Sequence, residues 1–335
     1  MLKRTALVAI GGNALIRADQ NGSVGEEQAH ARATSRAIAG IVADGWHVLI
    51  THGNGPQVGA ALLRSERGAD EVYPLSLNLC GAATQGEIGY VLQQALGQAL
   101  AARQVDRPVA TVLTQVVVAP DDPAFDHPTK PIGPFYTREQ ADDRRCRYGW
   151  TLVENREHGF RRVVPSPEPI EIVEGDVIRA LLDRGVLVVA LGGGGIPVVR
   201  RGHRLVGVDA VIDKDRASAL LATRLRVELF VILTDVECVY VDFHRPGERA
   251  LDSVTSDALE TYARAGQFPA GSMGPKVEAA LRFLRDGGRQ AIITSPERLE
   301  EAVAGRAGTR VVRGDRALGA APQPAAFGTG SGRIG

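Results

Sequence analysis

Three times in this chain an apolar run of strand length ends in a cluster of glycines. Ala6 to Ile10 stops at Gly11-Gly12-Asn13. His47 to Thr51 stops at His52-Gly53-Asn54-Gly55-Pro56, and Val186 to Leu191 stops at Gly192-Gly193-Gly194-Gly195. Uninterrupted apolar runs of this length read as strands buried on both faces. Between them lie amphipathic helical patterns, among them Glu26 to Asp44, closed by Gly45, and Thr84 to Arg103, with Ile88, Leu92, Ala95, Leu96 and Ala99 on one side. Further strands are expected at Val109 to Val118, Val227 to Leu233 and Gln290 to Thr294, and further helices at Gly175 to Arg184, Arg216 to Leu225, Ser256 to Ala265, Lys276 to Asp286 and Pro296 to Ala304. This alternation predicts an α/β chain, a three-layer α/β/α sandwich with a mostly parallel central sheet. Ligands of such sheets gather outside the carboxyl ends of the strands, where bare backbone N–H groups make an anion site. One glycine cluster is only a turn. Three at equivalent ends of one sheet suit a ligand carrying several phosphates.

A second signal is scarcity. Of 39 lysines and arginines only four are lysines: Lys3, Lys130, Lys214 and Lys276. A chain that makes its surface charge from arginine keeps a lysine where a compact, flexible ammonium is needed. The three internal lysines stand beside turn formers or paired acids. Lys214 is flanked by Asp213 and Asp215 after the apolar run Ala210-Val211-Ile212, Lys130 lies in Pro128-Thr129-Lys130-Pro131, and Lys276 follows Gly271-Ser272-Met273-Gly274-Pro275. The bland alternative for Lys214 is an ordinary charge at the start of a helix.

The charge and cysteine content narrow the class. Net charge near zero argues against a general binder of nucleic acid or anionic membrane. No apolar stretch approaches the ~18 residues of a membrane span, and the run after Lys3 and Arg4 is too short for a signal core. Cys80, Cys146 and Cys238 show no metal-ligand or redox spacing. These features predict a soluble, cytoplasmic protein. A single domain is expected over 1–313, with a disordered Ala/Pro/Gly/Ser-rich tail over 314–335. Between about 119 and 165 the strand–helix rhythm breaks, with Pro120, Pro123, Pro128, Pro131 and Pro134 and charged clusters such as Asp142-Asp143-Arg144-Arg145. So long an irregular connection suggests a small protruding subdomain, a lid that carries Lys130, rather than a plain solvated insertion.

Other phosphate and hydrolase motifs are missing. There is no G-x-x-x-x-G-K-[ST], and Gly53, Gly55 and Gly59 are spaced one residue too widely for the dinucleotide fingerprint. No zinc spacing and no G-x-S-x-G elbow occur. His52 could contact an anion, but an isolated histidine is more often structural. The motifs present closely resemble those of the carbamate kinases, which have the amino-acid kinase fold: Val8 to Leu15, Thr51 to Gly59, Pro128 to Pro134, Ala210 to Asp215 and Gly271 to Ala279. The similarity runs in order from about Leu2 to Val312. It departs at Arg216, where an apolar residue is usual, at Thr84 and Glu87, where serine and methionine are more usual, and in the extra tail beyond Arg313.

The resemblance implies reversible phosphoryl transfer between ATP and carbamate, giving ADP and carbamoyl phosphate, with Mg²⁺ arriving on the nucleotide. It also implies a homodimer and a direction toward ATP synthesis in catabolism that yields carbamoyl phosphate, as arginine breakdown does. Gly11, Gly12, Asn13, Gly53 and Asn54 would then hold the acceptor and the transferred group. Lys130 and Lys214 would neutralise developing charge, and Lys276 would serve the nucleotide phosphates together with Lys214, Gly274 and Pro275. Asp215 would orient Lys214 or the Mg²⁺ shell, or act only as a helix N-terminal charge. Tyr240 and Met273 would line the adenine pocket or belong to the core. Two other readings stay open on the residues alone, a kinase of the same fold with another small acid or phosphate acceptor, and a catalytically silent nucleotide or metabolite sensor. If Lys214 is a point donor between converging oxygens, Lys214→Arg keeps the charge and still loses about 10²-fold or more in turnover. Steady-state rates close to the parent's would remove the argument from lysine scarcity.

Overall fold

The computed structural model describes residues 4–12, 23–155 and 158–314. Asn13 and the tail from 315 onward lie outside them. The chain starts with the wholly buried β1 (Thr5–Ile10). It continues in α1 (Val24–Ala43), where Ser23 Oγ accepts from Glu26 N and Glu26 Oε2 accepts from Ser23 N, a reciprocal cap. There follow β2 (His47–His52), α2 (Gly55–Arg67), α3 (Leu77–Ala102), β3 (Val109–Thr111) and β4 (Gln115–Val117). The next group is β5 (Lys130–Tyr136), α4 (Arg138–Tyr148), β6 (Leu152–Asn155) and β7 (Gly159–Val164). Then come β8 (Glu171–Ile172), α5 (Gly175–Asp183), β9 (Leu187–Ala190), β10 (Ile196–Arg201), β11 (Arg204–Gly207), α6 (Lys214–Leu225) and β12 (Leu229–Leu233). The remainder is β13 (Val239–Val241), β14 (Arg249–Leu251), β15 (Ser253–Thr255), α7 (Ser256–Arg264), α8 (Met273–Arg285), β16 (Gln290–Thr294), α9 (Leu299–Val303) and β17 (Thr309–Val312).

Eight strands form the central sheet in the order β15-β17-β16-β12-β1-β2-β9-β3. Its neighbours are parallel except β16 and β17. The apolar runs have no polar phase because both faces are covered. Leu7 and Ala9 of β1 point to one cluster, with Leu221 and Leu225 of α6 and Phe283 and Leu284 of α8. Ala6, Val8 and Ile10 point to the other, with Ile38 and Ile41 of α1 and Ile88, Leu92 and Leu96 of α3. Each fully buried Leu or Ile contributes about 1.5–3 kcal/mol. That burial fixes the strands, and with them the positions of the loops at their ends.

Two expectations need correction. The run Val109 to Val118 is two strands in two sheets, not one. At Thr114 the side chain of Gln85 takes over the pairing: Gln85 Oε1 accepts from Thr114 N at 2.8 Å, and Gln85 Nε2 donates to Thr114 O and Gly192 O. The chain thereby leaves the central sheet and β4 joins β10 and β8. The stretch 119–165 is also less irregular than its prolines suggest. It holds a three-stranded sheet, β5-β7-β6, and the helix α4. Pro131 and Pro134 fit because β5 is an edge strand and its register shifts between Ile132 and Phe135.

The core of this subdomain is small: Tyr136, Ala141, Leu152 and Phe160, with Trp150 against them. Arginines cover the rings, Arg144 over Tyr136 at 4.4 Å and Arg162 over Trp150 at 4.1 Å. A core of so few residues leaves no helical period in the sequence. The subdomain leans on α2, where Arg144 pairs with Glu66 at 2.9 Å, both side chains mostly buried. Close by, a Cβ on Gly59 would lie 2.7 Å from Gly133 Cα. Backbone cannot yield at that contact as a side chain can. Gly59→Val should therefore cost about 1–3 kcal/mol of stability, read as a lower melting temperature. An unchanged melting curve would mean that the two backbones separate freely.

Candidate active site

The carboxyl ends of β1, β2, β9 and β12 deliver four loops to one edge of the central sheet. Gly11 N donates to Leu233 O at 3.1 Å, and Gly53 N donates to Ile10 O at 3.0 Å. The first two loops then pack backbone on backbone, since a Cβ at Gly53 would sit 2.9 Å from Gly12 N. Gly194, at φ +88°, lies so near Ile212 that a Cβ there would stand 2.4 Å from its carbonyl oxygen. The third glycine cluster thus supports the segment leading to Lys214, whereas Gly12, Gly53 and Gly193 face the open cavity. His52 is buried beneath these loops, its Nδ1 2.9 Å from Gly53 O. Burial lowers its imidazole pKa to about 4, against the Gly53 bond and with help from the Lys214 charge, so it is neutral at pH 7. Asn54 is fixed from below, Nδ2 donating to Thr84 Oγ1 at 2.9 Å. Thr84 therefore supplies the hydroxyl that a serine would.

The three internal lysines meet at the first turn of α6. Asp213 caps this helix, its Oδ1 accepting from Asp215 N and Arg216 N. Its other oxygen, Oδ2, accepts from Lys130 Nζ at 2.7 Å. Burial alone would raise the Asp213 carboxyl, but the Lys130 charge and its hydrogen bond, with the Arg216 backbone, outweigh burial and hold it down at about 2. Asp215 stands between the other two, with Lys214 Nζ at 2.8 Å and Lys276 Nζ at 3.4 Å. Burial pushes its pKa up, yet the two ammonium groups prevail and lower it. Lys214 is nearly enclosed; burial pushes its ammonium pKa down and Asp215 opposes that.

The lysines, Gly12, Gly53 and Asn54 line one cavity of about 800 Å³. A second pocket of about 530 Å³ adjoins it, walled by Tyr240, Phe243, Phe268 and Met273. The two share Gly12, Gly271, Ser272 and Lys276. An apolar, aromatic pocket thus opens into a cationic cavity, with Lys276 at the junction. That combination fits a base at one end and a phosphate chain at the other.

A sequence profile described as "Amino acid kinase family" matches residues 4–295. A carbamate kinase of Thermococcus kodakarensis is 46% identical over 314 residues, spanning 92% of this chain and 99% of its own. The chain belongs to the carbamate kinases of the amino acid kinase family. Carbamate kinase 3 of Staphylococcus aureus is 45% identical over 308 residues, covering 91% of this chain and 98% of its own. Among solved structures, the carbamate kinase of Giardia lamblia bound to AMP-PNP superposes with a TM-score of 0.88 at 41% identity. It covers 93% of this chain and 100% of the other. An N-acetylglutamate synthase from Neisseria gonorrhoeae, 14% identical with a TM-score of 0.54, shares the fold alone.

The residues singled out in the sequence fall around these two cavities as follows. Lys130, Lys214, Asp215, Gly53, Asn54 and Pro275 line the larger cavity, Gly11, Tyr240 and Met273 the smaller, and Gly12 and Lys276 both. Gly274 stands at the start of α8 with its N–H bonded to Pro269 O at 2.9 Å. Asn13 lies outside the described residues. Two contributors receive no role from the sequence alone. Asp213 was visible as one half of an Asp-Lys-Asp triplet, but the partner that explains it, Lys130, is 83 positions away. Phe268 carried no signal at all. Replacing Asp213 by Asn keeps the cap and removes the charge that holds Lys130. Because the folded-state pKa lies below the ordinary carboxylate value of 3.8, this carboxylate adds stability above about pH 4 and loses it as pH falls toward 2. Asp213→Asn should cost about 2 kcal/mol at pH 7, a gap that closes in urea melts as pH falls through that window. A gap constant from pH 7 to 2.5 would show that the charge is immaterial.

Proposed function

We propose that the lysine cluster carries out reversible phosphoryl transfer between ATP and carbamate, giving ADP and carbamoyl phosphate. The observation that carries this reading is the convergence of Lys130, Lys214 and Lys276 on the part-buried Asp213 and the buried Asp215 at the mouth of an aromatic pocket. Phosphoryl transfer asks for in-line positioning and charge stabilisation more than for covalent help. Carbamate is already an anion, so its oxygen attacks without a general base. The site's chemistry agrees: His52 is buried and neutral, and both aspartates are committed to lysines.

Each residue then has a role. The glycine loops at Gly11, Gly12 and Gly53, with Asn54, hold the acceptor and the γ-phosphoryl oxygens. Lys130 reaches in from the subdomain, read as a lid, and Lys214 comes from α6; both neutralise charge as the bridging oxygen departs. Lys276, at the junction, holds the nucleotide phosphates with the N-terminus of α8 behind it. The adenine lies between Tyr240 and Met273. Asp215 keeps Lys214 and Lys276 apart and pointed at the cavity. Mg²⁺ fits as a passenger on the nucleotide, because among the described residues no group of three or more acidic, His or Cys side chains could hold an ion. When bound it neutralises phosphate charge through phosphate and water oxygens. Among the described residues no helix is long and apolar enough to cross a membrane, which supports a cytoplasmic enzyme. We read the enzyme as a homodimer, with Leu79 and Tyr90, exposed on α3, as candidate contact residues.

The test is ATP formation from ADP and carbamoyl phosphate, beside acetyl phosphate and other acyl phosphates. Carbamoyl phosphate should be strongly preferred, and Lys130→Ala should lower kcat about 10²-fold with little change in ADP affinity by calorimetry. A better rate with another acyl phosphate would reassign the acceptor. A fully active Lys130→Ala would remove the subdomain lysine from the chemistry.

A further inference from the structure

Two of the three lysines start helices that rest on the central sheet, whereas Lys130 is carried on the subdomain. Something must set the subdomain's position relative to α6 and α8. Its two connections leave the body side by side, where Ile170 N donates to Val117 O at 2.9 Å and β4 pairs with β8. The outgoing segment turns at Asp122, whose Oδ1 accepts from Ala124 N at 2.8 Å. The returning segment, Pro165-Ser166-Pro167-Glu168-Pro169, is stiffened by alternate prolines. Glu168 joins the two, since its N–H donates to Asp122 Oδ2 at 2.9 Å.

The Glu168 side chain reaches the body. Its Oε2 accepts from Arg216 Nη1 at 3.3 Å, and its Oε1 accepts from Arg282 Nη1. Arg216 lies in the first turn of α6, two residues after Lys214, and also donates to Glu278 Oε2 at 3.2 Å. Glu278 and Arg282 belong to α8, the helix that carries Lys276. One carboxylate at the root of the subdomain is thus gripped by arginines from the two helices that present the other two lysines. Arg216 and Ser166 also line the larger cavity.

We propose that Glu168 is a positioning residue, which through Arg216 and Arg282 sets Lys130 in register with Lys214 and Lys276. The proposal rests on the role given to Lys130 above. Its side chains are between about a third and half exposed, so the ion pairs add little to global stability. Their effect is geometric: displacement of a catalytic group by about 1 Å can cost up to 10²-fold in rate. The clamp also gives Arg216 a use, at a position where the resemblance leads one to expect an apolar residue.

The experiment compares Glu168→Gln, Arg216→Gln, the double variant and Lys130→Ala in full-length enzyme, with ADP and carbamoyl phosphate. Each single clamp variant should lower kcat about tenfold while KM for ADP stays within about twofold and the melting temperature holds. The double variant should be no slower than Glu168→Gln alone, because both remove one coupling. Hydrogen exchange over 130–136 and 159–164 should quicken in all three. Parent-like kcat for Glu168→Gln beside an impaired Lys130→Ala overturns the clamp. So does a loss of kcat matched by an equal loss of ADP affinity or of melting temperature, since that marks a prop for the whole fold. A fully active Lys130→Ala overturns the role of Lys130 itself, a separable result.

Discussion

Three ammonium groups share one cavity because two carboxylates, the part-buried Asp213 and the buried Asp215, hold them there. Two like charges about 4 Å apart at an effective dielectric constant near 20 repel by about 4 kcal/mol, so a bare lysine cluster would splay open. Asp215 stands between Lys214 and Lys276, and Asp213 takes Lys130. The aspartates hold the lysines in place before any phosphate arrives. Asp213 does so while capping α6, so the cation cluster and the helix beneath it depend on the same side chain. An incoming phosphate chain then meets donors that need little reorganisation, the condition under which electrostatic stabilisation is most effective.

The central sheet supplies the rigidity this arrangement needs. Its inner strands are buried on both faces, and their carboxyl ends bring Gly11, Gly12, Gly53 and Asn54 to the two adjoining cavities at one edge of the sheet. Glycine is required there by proximity of backbone to backbone, as where Gly53 lies against Gly12 and Gly11 against Leu233, and the tie of each loop to its neighbouring strand keeps the loops in place. The aromatic pocket at Tyr240, Phe243 and Phe268 is built differently. It is assembled from a hairpin and from the segment between α7 and α8, elements that surround the sheet edge without belonging to its buried middle.

The subdomain answers to other forces. Its core is four apolar residues and a tryptophan, held by arginines lying on rings, each contact worth roughly 0.5–2 kcal/mol. Such a unit keeps its place by leaning on the body, through the Gly59–Gly133 approach and Glu66–Arg144 on α2 and through Lys130 on Asp213. These contacts are few and partly polar. A group mounted on such a unit can be displaced at far lower cost than Lys214, which would have to unwind a buried helix.

By itself the sequence determined the layered α/β plan and the glycine loops at the strand ends, and it singled out three lysines that the structure gathers into one cavity. These are local signals: an apolar run with no polar phase, a glycine where a side chain cannot fit, a rare residue among arginines. It could not determine that Val109 to Val118 divides at Thr114, because the deciding bonds come from Gln85 on another element. Nor could it show the order within 119–165, where prolines tolerated on an edge strand read as breakers and a minute core leaves no period. The partnership of Asp213 with Lys130, and the place of Phe268 in a pocket wall, were decided only by tertiary structure. Both are contacts between residues far apart in the chain, and only packing onto the central sheet brings their elements together.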